Sequence, residues 1–276
     1  RREDHTVKRL VSLNGRWAMT FCDIGEGSPD AFTDKPFIAY TVPGDVHTPL
    51  MEAGIIDEPL YGDHDLACRW VENQEFWCRR TFIWDEAFCH RILLTFEGID
   101  CTADLFLNGQ FLARQNNAFV EMSYDVTARL RQGENELLVR VDQGLEEARK
   151  HPLEQMGLMW NHDQPYRTWM RKPQFVYGWD WTIWLASCGI WRDVYLTVCG
   201  KAILTDIYAR LASNKVEEGK PCDVAVSMHV DMPAFMRCSA EITIHDRERR
   251  TVFSTNVPVK PGLQTIPCTI PVAHAW

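Results

Sequence analysis

No run of about 18 apolar residues occurs in this chain, which leaves out an apolar membrane-spanning helix. Basic residues are in deficit: Lys and Arg number 29 against 38 Asp and Glu, for a formal net charge of -9 at pH 7. A nucleic-acid surface is carried by Lys and Arg, so that class of partner is not expected. No two of the ten cysteines stand at Cys-x-x-Cys spacing, which argues against zinc ribbons and thioredoxin-like redox sites. Asn-x-Ser/Thr sequons are missing, and so are GxGxxG or Walker phosphate loops and an HExxH helix. The charged start Arg1-Arg-Glu-Asp-His5 has no apolar segment behind it, so a signal peptide is absent or was removed before this numbering begins. These absences lead us to expect no cofactor, no metal, no nucleic acid and no membrane partner. The expected compartment is reducing and cytoplasmic, with a periplasmic or secreted location as the alternative.

Helical periodicity is also scarce; Thr48–Ala53 and Gly144–Lys150 are the short candidates. Alternation of period two takes its place, at Trp17, Met19 and Phe21 and again at Phe76, Cys78, Arg80 and Phe82. Leu105-Phe-Leu107 runs into Asn108-Gly109 and resumes at Phe111-Leu112, a hairpin signal because Asn-Gly tolerates the positive φ angles of a type I′ turn. Further strands read at Ile92–Phe96, Leu137–Val141 and Val194–Val198. A length of 276 residues suits about two domains. The fold class expected is all-β, with a jelly-roll sandwich over residues 1–199. An immunoglobulin-like sandwich follows over 200–276, with strands at Leu204–Leu211, Asp223–Val230, Ala240–Asp246, Val252–Val259 and Gln264–Ile270. Five strands fall short of the roughly seven such a sandwich wants, so the second domain is expected to be incomplete and the chain to be a fragment.

The connection from about Gly144 to Thr182 is poor in strand signal and reads as a long functional loop. Six of the eleven tryptophans lie between Trp160 and Trp191, among His162, Asp163, Arg167, Arg171, Lys172, Asp180 and Arg192. Indole faces cover the C–H faces of a pyranose, and carboxylates and guanidinium groups bond its hydroxyls, so this stretch is a candidate sugar site. Asp180 is the leading hydroxyl ligand and is expected to be part-buried between its two tryptophans. In an extended segment Trp179 and Trp181 point to opposite sides, so one faces sugar, with Trp179 favoured, and the other packs inward. Arg171 and Lys172 are secondary candidates that bind substrate, hold the loop, or pair with carboxylates elsewhere. Trp17, Trp70, Trp77 and Trp191 read as packing residues. His162 and Asp163 are too few for a metal site. Asp163 or Glu154 with Asp180 would supply two carboxyl groups, but nothing in the spacing selects them as a hydrolytic pair.

Several motifs, in order, resemble the N-terminal part of the β-mannosidases of glycoside hydrolase family two. They are Leu13-Asn-Gly-Arg-Trp17, Val42-Pro-Gly-Asp-Val-His47, Ile55-Ile-Asp-Glu-Pro-Leu-Tyr-Gly62, Trp70-Val with Phe76-Trp-Cys-Arg-Arg-Thr-Phe82, Leu94-Thr-Phe-Glu-Gly-Ile-Asp100, Ala103-Asp-Leu-Phe-Leu-Asn-Gly109, Gly178-Trp-Asp-Trp181 and Gly189-Ile-Trp-Arg192. The resemblance implies a retaining exo-glycosidase that releases terminal β-mannose. Its two catalytic glutamates would lie in a downstream barrel of the same polypeptide, so no catalytic residue is expected in this chain. The loop at Trp179, Asp180 and Trp181 would form part of the pocket for the β-mannoside. One departure stands out: the family commonly follows Trp-Asp-Trp with Gly-Pro, and here Thr182-Ile183-Trp184 follows. The alternatives are a stand-alone carbohydrate-binding module, or the same fragment of a β-galactosidase or β-glucuronidase.

Overall fold

The computed structural model describes residues 9–31, 36–85, 91–153, 165–212 and 216–273. Residues 9–198 form one compact unit and the residues from Cys199 onward another.

The first unit packs two antiparallel sheets. One has the order β3-β2-β4-β9-β6-β7, built from β2 (Gly15–Asp23), β3 (Ile38–Val42), β4 (Gln74–Trp84), β6 (Thr102–Leu107), β7 (Gln110–Gln115) and β9 (Gly133–Asp142). The other has the order β1-β12-β5-β8, from β1 (Arg9–Ser12), β5 (Arg91–Phe96), β8 (Met122–Asp125) and β12 (Val194–Cys199). Alternation explains the core between them. Trp17 and Met19 of β2, Phe76 and Cys78 of β4, Ile92, Leu94 and Phe96 of β5 and Val194 and Leu196 of β12 all point inward and are buried. The Trp17 indole N–H is satisfied by the Leu13 carbonyl at 2.8 Å, so a polar atom enters the core without penalty. The Asn108-Gly109 turn joins β6 to β7 with φ of 53° and 76°, the left-handed pair that a type I′ turn requires. Short helices sit at the rim, α1 (His47–Glu52), α2 (His64–Ala67) and α3 (Leu145–Ala148). The first and third fall where helical periodicity was read. The second, His64–Ala67, falls where none was read.

The larger sheet carries a charged ladder on its other face. Arg140 stands opposite Trp77 on one side and Asp104 on the other. Its guanidinium lies 2.8 Å from Glu75, 2.5 Å from Asp142 and 3.7 Å from Asp104. Glu75 is buried and also accepts from the backbone N–H groups of Gly25 and Gly27 and from the Trp77 indole. Burial acts to raise the Glu75 pKa, but the Gly25, Trp77 and Arg140 bonds outweigh it and hold it below the ordinary carboxylate value. Asp142 goes the other way: burial raises it, against the pull of Arg140 and the Gly144 N–H.

The second unit has a three-stranded sheet β13-β14-β17, from β13 (Ile203–Leu211), β14 (Cys222–Asp231) and β17 (Gly262–Ile270). It also has a pair, β15 (Cys238–His245) with β16 (Thr251–Val259). Val224, Val226, Met228 and Val230 of β14 form its core with Ile242, Val259 and Cys268. Edge strand β13 differs. Leu204, Ile207 and Leu211 stand in register with core-facing Val230, Met228 and Val224, yet they are 54%, 59% and 51% exposed. Facing residues of an antiparallel pair share a side of the sheet, so this apolar stripe is an uncovered margin of the core. The 276-residue chain is expected to bind a hydrophobic dye and to self-associate. Ile207→Thr with Leu211→Thr should lower both, read by dye fluorescence and light scattering; unchanged scattering would clear β13 of the effect.

Candidate substrate-binding loop

The excursion between β9 and β12 leaves the sandwich at Asp142, whose carboxylate accepts from the Gly144 N–H at 2.6 Å. Gly144 is left-handed, with φ of 86°, and turns the chain into α3. Residues 154–164 lie outside the described residues, and with them Trp160, His162, Asp163 and Glu154. The connection is not structureless from Pro165 onward. A 3-10 turn at Pro165–Trp169 brings Met170 against Leu145, Ala148, Tyr177 and Ala186 in a small core of their own. Buried Arg167 donates to the carbonyls of Gln174 and Tyr177 at 3.4 and 3.5 Å. The Gln174 amide reaches back to the carbonyls of Arg167, Met170 and Lys172 at 3.1–3.3 Å. Side chains thus replace the backbone ladder that an irregular segment lacks.

On this platform stands a hairpin, β10 (Tyr177–Trp179) with β11 (Thr182–Trp184), paired Tyr177 to Trp184 and Trp179 to Thr182. Asp180 and Trp181 are its two-residue turn. This corrects two expectations. Trp179 and Trp181 do not point to opposite sides, because the reversal of the chain between them breaks the alternation of an extended strand. Both are exposed, at 50% and 71%, with ring centroids 5.4 Å apart and planes tilted by 48°. Asp180 is exposed rather than part-buried, since a turn residue projects into solvent. Among the described residues no hydrogen bond or ion pair occupies its carboxylate. The tip therefore presents a free acceptor beside two aromatic faces, which suits a ligand that is apolar on one side and hydroxylated along its edge.

The secondary candidates part company. Lys172 is buried, with its Nζ 3.1 Å from Asp100 Oδ1 and donating to the Ser187 carbonyl at 2.5 Å. It closes the neck of the excursion, which supports the loop-holding role among its alternatives. A buried ammonium needs such partners, and these engage two of its three N–H donors. Burial raises the Asp100 pKa against the opposing pull of Lys172. Arg171 is exposed and lines an open cleft of about 450 Å³ with Asn117, Phe119, Thr168, Met170, Gln174 and Lys172 itself. Trp17 and Trp77 are buried as expected, but Trp191 is 39% exposed, with its N–H on the Ala118 carbonyl and Arg192 over its ring.

Three groups, Asp100, His47 and Glu72, escaped the sequence reading, although the first two lie inside quoted motifs and Glu72 directly follows one. Asp100 exchanges both backbone hydrogen bonds with Gly189, at 2.7 and 2.8 Å. Gly189 has φ of 144°, and a Cβ there would meet the Gly44 carbonyl oxygen at 2.6 Å, so the neck is built on a close backbone crossing that only glycine permits. His47 is buried beside this crossing, and burial, with a further push from the Lys172 charge, lowers its pKa to about 4 despite Asp45, so it is neutral at pH 7. Glu72, also buried, accepts from the Trp184 indole N–H at the root of the hairpin, while the Arg69 guanidinium lies 4.0 Å from the centre of the same ring. Burial raises the Glu72 pKa, opposed by the Trp184 bond, Arg69 and Lys172. An acidic residue between Ile99 and Cys101 was the available signal for Asp100; Glu72, among Asn73, Gln74 and Glu75, carried none. Among the described residues no group of three or more His, Cys, Asp or Glu side chains could hold a metal ion.

Residues 17–192 match the family described as glycosyl hydrolase 2 galactose-binding domain-like. The chain belongs to that family. Beta-mannosidase B of Emericella nidulans is 34% identical to this family member over 206 residues, covering 72% of the chain and 23% of the relative. Beta-mannosidase B of Thermothelomyces thermophilus is 32% identical over 214 residues, covering 75% and 24%. The solved β-D-mannosidase of Dictyoglomus thermophilum superposes with a TM-score of 0.80 at 27% identity, over 96% of this chain and 31% of that one. The family member therefore spans about a quarter of the length of the curated relatives it matches.

Proposed function

We propose that this chain is the non-catalytic N-terminal part of a retaining exo-β-mannosidase, and that Trp179, Asp180 and Trp181 form one wall of its substrate pocket. The observation that carries the reading is the hairpin tip: two exposed indoles 5.4 Å apart flank a carboxylate with no partner among the described residues. The β-mannosidases to which the chain is similar supply the substrate class. Retaining hydrolysis needs two carboxyl groups about 5–5.5 Å apart, one acid and one nucleophile. We assign both to a barrel elsewhere in the same polypeptide. The wall contributes binding energy that orients the terminal sugar for attack, which lowers the barrier without bond chemistry of its own. A cytoplasmic location belongs to the same proposal, supported by the burial of Cys78, Cys101 and Cys188 as thiols.

The test is an assay of the full-length protein on aryl β-mannoside, β-galactoside and β-glucuronide. Turnover of the mannoside at least about tenfold above the others, with retained configuration in the first product, is expected. The 276-residue chain alone should turn over none of them and give no heat with mannose or mannobiose. A preference for galactoside or glucuronide would overturn the substrate assignment, and sugar binding by the isolated chain would favour a self-sufficient binding module.

A further inference from the structure

The aromatic tip is held at its base by Trp184, and Trp184 is constrained on three sides. Its ring meets the Tyr177 ring edge-on at 5.6 Å. Its face lies under the Arg69 guanidinium at 4.0 Å. Its N–H donates to the buried carboxylate of Glu72, which Arg69 also approaches at 3.9 Å. Packing alone does not call for the last of these. A leucine would fill the space of Glu72 without taking a carboxylate out of water, a cost that the contacts from Trp184 and Arg69 must offset. What leucine cannot supply is direction. A hydrogen bond fixes the rotation of the indole in its plane, and Trp184 is the last residue of a three-residue strand that begins at the turn. Its backbone pairs with Tyr177, so any swing of the ring is passed to both arms of the hairpin. Glu72 itself lies in the turn that leads into β4, a strand at the centre of the large sheet, and so is fixed to the rigid part of the fold.

We infer that Glu72 is a positioning residue for the substrate: it touches no sugar, and it sets the aim of Trp179, Asp180 and Trp181 through the Trp184 indole. This rests on the reading of the hairpin tip as a pocket wall. The role needs an acceptor at position 72 and an N–H at position 184, not a charge.

The experiment uses the full-length protein with Glu72→Leu, Glu72→Gln and Trp184→Phe, each measured for kcat and KM on an aryl β-mannoside, for Tm, and for amide hydrogen exchange over residues 177–184. Glu72→Leu and Trp184→Phe are expected to lower kcat/KM about tenfold and to speed exchange in the hairpin. Their Tm should stay within a few degrees of the parent. Glu72→Gln keeps an acceptor and should restore both readouts to within about twofold. Trp184→Phe keeps an aromatic ring but loses the N–H together with the five-membered half of the indole, so it tests the same link from the other side if Glu72→Leu fails to fold, and Glu72→Gln isolates the hydrogen bond. Parental exchange and parental kinetics in Trp184→Phe, while Asp180→Ala is impaired, would overturn the role of Glu72 and leave the pocket wall standing. Faster exchange with parental kinetics would overturn the pocket wall, and the substrate role of Glu72 with it. A Glu72→Gln variant as impaired as Glu72→Leu would refute the hydrogen bond as the cause.

Discussion

Asp180→Ala in the full-length protein is expected to lower kcat/KM for an aryl β-mannoside by about 10- to 100-fold while leaving Tm within about 1 °C. A hydrogen bond to a charged group contributes roughly 1.5–3 kcal/mol, and each 1.4 kcal/mol is about a factor of ten. The separation of activity from stability follows from position. Asp180 is exposed in a two-residue turn, and no described partner depends on it, so removing its carboxylate strands nothing. Surface substitutions of that kind fall within about 0.5 kcal/mol. The two indoles divide the remaining contact. Trp181 is the more exposed, so nothing in the geometry favours Trp179 alone, and each alanine replacement should weaken binding on its own. Unchanged kinetics in Asp180→Ala would remove the tip from the pocket.

Arg140→Met is expected to destabilise the first unit by about 3–5 kcal/mol, the usual cost of removing one partner of a buried ion pair. The Tm should fall by roughly 10 °C at neutral pH. The reason is what Arg140 leaves behind. Glu75 and Asp142 are both buried, and the guanidinium is the cation that faces them at 2.8 and 2.5 Å. The pH dependence has a definite sign. The Glu75 pKa is lower in the folded state, so its contribution is present above the ordinary carboxylate value and is lost as pH falls through the folded value. Acid also neutralises the carboxylates that the variant leaves unpaired. The gap in Tm between parent and variant should therefore be widest near pH 7 and narrow below about pH 4. A gap independent of pH would mean that Arg140 acts through its hydrocarbon stem and not its charge.

Much of the fold was legible because strand patterns are local. Trp17 and Met19 of β2 and Phe76 and Cys78 of β4 stand two apart in the chain and share the inner core, since the pleat repeats every two residues wherever a strand forms. The Asn108-Gly109 turn was readable for the same reason: the left-handed φ pair is a property of two residues and needs no distant partner. The loop was another matter. Its wealth of tryptophan marked the region, and its motifs marked the family. But the alternation rule that served the strands misled at Trp179 and Trp181, where a tight reversal put both rings at the tip.

What the sequence alone determined, then, is the all-β class, the strands with their inward faces, and the family that the motifs resemble. What only the tertiary structure decided is the use of the charged residues. Lys172 closes the neck because Asp100, 72 positions earlier, is brought beside it by the Gly189 crossing. Glu72 braces the hairpin because Trp184, 112 positions later, folds onto it. Asp180, by contrast, is left open to solvent. Three acidic side chains of similar chemistry thus differ in role through burial and partner, and those are set by contacts far apart in the chain, which no local pattern encodes.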